Sequence, residues 1–113
     1  MKKNRPSLHF YQDHNQNLDS PIFPAIRPWD PLRFQPEVEI VVHYQDTPYS
    51  IAKLISFCRV PSLHKIPDIG FLWPSGQPDP ETERQRYIRY YQTQLSLETT
   101  PFALYIFHRI QYL

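Results

Sequence analysis

The sequence predicts an α+β fold: a small single domain of two helices on a two- to three-stranded sheet over residues 37–113, preceded by an extended Pro/aromatic-rich N-terminal arm over residues 1–36. Three observations carry that expectation. Prolines punctuate the first third. A period-two apolar alternation begins at residue 37. Two Asp/Pro helix starts precede apolar stripes at helical spacing.

The arm holds Pro6, Pro21, Pro24, Pro28, Pro31 and Pro36. Each removes an amide donor and pushes the preceding residue toward extended geometry. Between them lie Phe10, Ile22, Phe23, Ile26, Trp29, Leu32 and Phe34. Disordered proline-rich segments normally lack such side chains. An extended yet apolar arm is expected to lie on a surface, its own or a partner's.

From Glu37 to Tyr44, Val38, Ile40, Val42 and Tyr44 share one face, and Glu37, Glu39, Val41 and His43 the other. That alternation and the β-branched content predict a half-buried strand. Asp46-Thr47-Pro48 then reads as a helix start, with Ile51, Leu54, Ile55 and Cys58 as its apolar stripe and Pro61 as its stop. Residues 61–78 read as a long connector, in which Asp68–Trp73 has the composition of a short strand. Asp79-Pro80-Glu81 opens a second helix running to about Leu97, with Ile88, Tyr91 and Leu95 as its buried stripe. Phe102–Ile110 is apolar on both faces at first, as in a central strand.

Composition excludes several classes of function. Twelve Lys+Arg against 11 Asp+Glu rule out a polyanion binder acting through bulk charge. One cysteine rules out an internal disulfide. No apolar run approaches the ~20 residues of a membrane span, and the basic N-terminus lacks the apolar stretch of a secretory signal. These features point to an intracellular, cytoplasmic protein. With 2 glycines, no phosphate-cradling loop exists.

The candidate constellations are few. His9, Asp13 and His14 combine metal-ligating types, but at no recognised spacing, and a polar loop accounts for them. His43, Asp46 and His108 would meet only if the first and last strands were neighbours, and no nucleophile accompanies them. Cys58 falls on an apolar stripe and reads as a small buried hydrophobe. Arg84–Tyr91 alternates arginine with tyrosine, a mixture that clamps phosphates, stacks on bases and is enriched at protein interfaces. Trp29 and Trp73 adjoin prolines in irregular segments, where tryptophan anchors a core or fills a partner's pocket.

The leading expectation is a non-catalytic protein–protein interaction protein: an accessory subunit, adaptor or inhibitor, without cofactor or metal. It docks through Trp29, Phe34, Phe23 and Trp73, with Arg84, Arg86, Arg89 and Tyr90 as further contacts. The alternative is an RNA- or single-strand-binding module using Arg84, Arg86, Arg89, Tyr87 and Tyr90.

Overall fold

The computed structural model describes residues 5–10, 18–72 and 79–113. Five strands, β1 (Ser7–Phe10), β2 (Ile22–Pro28), β3 (Glu39–Tyr44), β4 (Thr47–Val60) and β5 (Phe102–Tyr112), form one mixed sheet in the order β1-β3-β4-β5-β2. Among the described strand pairs, β1 with β3 is parallel and the others are antiparallel. Among the described residues, a 3₁₀ turn (Leu63–Lys65), a short helix α1 (Ile69–Leu72) and a longer helix α2 (Pro80–Tyr91) accompany the sheet.

This architecture corrects the expectation of two helices on a two- to three-stranded sheet. The first expected helix is the 14-residue strand β4. Asp46 does not cap a helix. Gln45 and Asp46 take φ of 51° and 65°, the left-handed pair of a two-residue hairpin turn, and Tyr44 pairs directly with Thr47. The stripe Ile51, Leu54, Ile55, Cys58 fits a helix by spacing, but Tyr49, Ile51, Ile55, Phe57 and Val60 are strand formers. Sheet partners on both sides of residues 50–53 decided between them.

The extended arm is also corrected. Its apolar residues supply two strands of the sheet rather than a separate limb. β2 pairs antiparallel with β5 from Ile22↔His108 to Pro28↔Phe102. Pro24 and Pro28 are tolerated because β2 is an edge strand, where a missing donor leaves no ladder bond broken. The short Asp68–Trp73 strand is replaced by helical turns over Ile69–Leu72, and Trp73 lies outside the described residues.

Three other expectations survive in outline. The strand at residues 37–44 is β3, with Ile40 and Val42 buried as the alternation requires; it starts two residues late because Glu37 has φ of 66°. The Asp79 cap is real: its carboxylate accepts from the Glu81 amide at 3.1 Å and from Thr82 Oγ1 at 2.6 Å, which lowers its pKa. α2 ends at Tyr91 rather than Leu97. β5 is interior, between β4 and β2.

The sheet curls into a half-barrel. Irregularities at Val42/His43, Ile51/Ala52 and Leu54/Ser56 mark where the long strands bend. The inner core draws on all five strands, with Leu8, Phe23, Ala25, Ile40, Val42, Leu54, Tyr105 and Phe107 buried together. Phe34, from the segment after β2, plugs it at 4.8 Å from the Tyr105 ring and 5.8 Å from Phe107. A second core lies on the opposite face, where Ile88 and Tyr91 of α2 and Phe71 of α1 cover Ile26, Phe102 and Leu104.

Candidate functional site

The curl brings the two outer strands, β1 and β2, face to face without a ladder between them. Their seam is closed by side chains. Arg27 Nη2 donates to the His9 carbonyl oxygen at 2.7 Å, and Arg27 Nη1 to the Ile26 oxygen at 2.8 Å. The guanidinium lies over the Phe10 ring, 4.8 Å from its centroid, and Phe10 meets Phe23 edge-on.

A cleft of ≈ 330 Å³ opens at this seam. Ser7, Leu8 and His9 of β1 form one wall and Arg27 and Pro28 of β2 the other. Trp29, Asp30, Arg33 and Phe34 close one end, and Tyr90 reaches in from α2. Each is placed by ordinary folding physics. Trp29 donates its amide to the Pro101 oxygen at 3.0 Å and stacks near-parallel to Tyr105. The Asp30 amide donates to the Tyr105 hydroxyl at 2.9 Å. The Asp30 carboxylate accepts from the Arg33 amide and pairs with Arg33 Nε at 3.6 Å.

The charge balance favours an anion. Arg27 is partly buried and has no carboxylate partner among the described residues. Its two hydrogen bonds go to neutral carbonyls, so its charge is oriented but not neutralised. Burial raises the pKa of Tyr91, and the charge of Arg27 is the first influence opposing that rise. Burial likewise raises the Tyr105 pKa, against the hydrogen bond from Asp30.

The structure distributes the sequence-derived candidates unevenly. Phe23 is fully buried and Phe34 nearly so, so both serve the core. Trp29 is half-buried and lines the cleft, as does the exposed Tyr90. Arg84 is buried beneath α2: it donates to the oxygens of His64 and Ile66, pairs with Asp68 and Glu81, and covers the Phe71 ring at 4.7 Å. Tyr87 packs edge-on against Phe71. Arg86 pairs with Glu83 at 3.3 Å, and Arg89 is exposed. Arg86 lies four residues before Tyr90, hence one turn away on the same helix stripe.

The histidine expectations separate. His43 and His108 lie on β3 and β5, with β4 between them. His43 instead stacks on His9, centroids 4.5 Å apart, because the parallel register pairs these two residues. Asp13 and His14 lie outside the described residues, and no group of three metal-ligating side chains forms among the described ones. Cys58 is exposed, since β4 is a strand there and not a buried helical stripe. No helix among the described residues is long and apolar enough to cross a membrane.

Sequence reasoning missed Arg27 and Arg33 as site residues. The available signal was a lone cation inside Phe23-Pro24-Ala25-Ile26-Arg27-Pro28-Trp29, with no acid nearer than Asp30. Comparison with known protein families, with curated proteins and with solved structures returned no match to this chain.

Proposed function

We propose that this chain is a non-catalytic binding module for single-stranded nucleic acid, seating one nucleotide in the seam cleft. One observation carries the reading. Arg27 is a guanidinium held by two carbonyl oxygens, without a carboxylate partner among the described residues, facing a cleft that also presents Trp29 and Tyr90. A phosphate satisfies the charge through charge-assisted hydrogen bonds, and a base satisfies the rings by stacking. The cleft volume is at the lower end of sites that enclose small organic groups. Arg33 stands beside it, and Arg86 and Arg89 precede Tyr90 on α2, giving a backbone somewhere to continue. Arg84 and Tyr87 take no part, because both are committed to packing under α2.

Docking of a protein through the N-terminal aromatic residues is not part of this reading, since Phe23 and Phe34 are inside the half-barrel. The test is fluorescence anisotropy with a labelled single-stranded octanucleotide. Four arginine contacts give a log–log salt slope of about −3, or roughly 25-fold weaker binding between about 50 and 150 mM salt. Arg27→Gln should weaken binding at least about tenfold. No binding at low salt, or binding unchanged in Arg27→Gln, overturns the reading.

A further inference from the structure

We propose a second binding surface, the open edge of β4 over Ile55–Arg59, which takes an extended acidic and apolar strand from a partner protein. β3 covers β4 only from Thr47 to Lys53, whereas β5 follows it to Val60. Beyond Leu54, β4 therefore has a described sheet neighbour on one side only. Five consecutive residues, Ile55 to Arg59, are exposed, with Ile55 at 49% and Phe57 at 43%. A strand exposed on its edge and both faces, and carrying two large apolar side chains, is a template for strand addition.

The chain itself shows how the edge accepts a neighbour. Pro36 bridges to Leu54 in parallel, and the Glu37 amide donates to the Leu54 oxygen at 3.3 Å. The left-handed turn at Glu37 then ends the contact after one step. An incoming strand would continue the pairing along Ser56–Arg59.

Charge selects the occupant. Residues 53–60 contain Lys53 and Arg59 and no acid. Lys53 has only a 3.9 Å contact with the exposed Glu37, and Arg59 has no carboxylate partner among the described residues, its one neighbour of note being the Trp29 ring at 5.9 Å. A second copy of this edge would bring basic residues to basic residues. Phe57 and Arg59 share one face of β4, opposite Tyr105 and Ala103, so a strand with an apolar side chain beside Phe57 and an acid two residues along covers the one and pairs with the other. This surface does not depend on the nucleic-acid reading.

The experiment is an amide-resolved titration of the full chain with two acetylated hexapeptides, Thr-Val-Thr-Glu-Thr-Val and Thr-Val-Thr-Lys-Thr-Val, in which valine and the charged side chain share one strand face; they are called the glutamate and the lysine peptide. The glutamate peptide should shift the amides of Ser56–Arg59 and slow their hydrogen exchange, with the lysine peptide at least tenfold weaker. Arg59→Glu, an exposed change that leaves the cores intact, should reverse that preference. Equal binding of both peptides, no binding at millimolar concentration, an unreversed preference in Arg59→Glu, or protection of these amides by self-association without peptide each overturns the proposal.

Discussion

Arg27 of β2 holds the backbone oxygen of His9 on β1 at 2.7 Å, and through this bond the two outermost strands of the sheet meet. The residue that joins them also brings to the cleft a positive charge with no carboxylate partner among the described residues. In the proposed reading, fold closure and ligand recognition share one guanidinium. Arg27→Lys should keep a positive charge yet lose the fork that reaches both carbonyls. Its nucleic-acid affinity should stay well below wild type, and hydrogen exchange should quicken in β1 while β5 stays protected. Wild-type protection in β1 would show that the seam is held by other contacts.

Arg84 provides the contrast. It has the sequence context of a phosphate-binding arginine and the surroundings of a structural one. Arg84→Ala leaves the oxygens of His64 and Ile66 without a donor and removes the cover over Phe71. Asp68 and Glu81 are exposed enough to be rehydrated. We expect a loss of about 2–3 kcal/mol in urea unfolding, with the salt slope of oligonucleotide binding unchanged. A flattened slope with intact stability would return Arg84 to the interface.

Tyr105 links the inner core to the cleft through its hydroxyl, which accepts from the Asp30 amide. Tyr105→Phe leaves that amide unpaired and should cost about 1–2 kcal/mol. It should also loosen Trp29, visible as a red shift in tryptophan emission. An unchanged midpoint would mean that water replaces the phenol at no cost.

Alkaline pH should unfold the protein by a defined route. Burial raises the pKa values of Tyr91 and Tyr105 above the ordinary phenol value. The unfolded chain releases these protons first, so stability is full below about pH 10 and falls as pH rises through the folded values. Denaturation midpoints measured from about pH 8 to 11 should be flat and then decline, and Tyr105→Phe should soften the decline. A decline that begins below pH 9 would need a different group.

Ser50 is fully buried in β4, and its hydroxyl has no partner among the described residues. Ser50→Ala should be neutral or stabilising by up to about 1 kcal/mol, since it removes an unsatisfied polar atom at little cost in volume. A clear destabilisation would reveal a hydrogen bond to that hydroxyl.

The sequence was informative where a signal was local. The Asp79-Pro80 cap, the alternation around Ile40 and Val42, and the doubly covered start of β5 each follow from a few adjacent residues. β4 was not legible in the same way. Its apolar residues satisfy a helical stripe, and only pairing with β3 and β5, settled by residues far away in the chain, selects the strand. The cleft is harder still. Arg27 and His9 are 18 positions apart on strands that are not ladder neighbours, and nothing short of the sheet's curl brings them together. Trp29 and Tyr90 were recognisable as residues of interest, but their shared cleft with Arg27 was not.

One nucleotide is proposed to occupy the seam between β1 and β2. This is tested most directly by titrating a single-stranded octanucleotide into isotopically labelled full-length protein and following side-chain resonances. The largest shifts are expected at the Arg27 guanidinium, the Trp29 indole and the Tyr90 ring, with Arg84 unmoved. Shifts confined to other surfaces, or none at low salt, would contradict it.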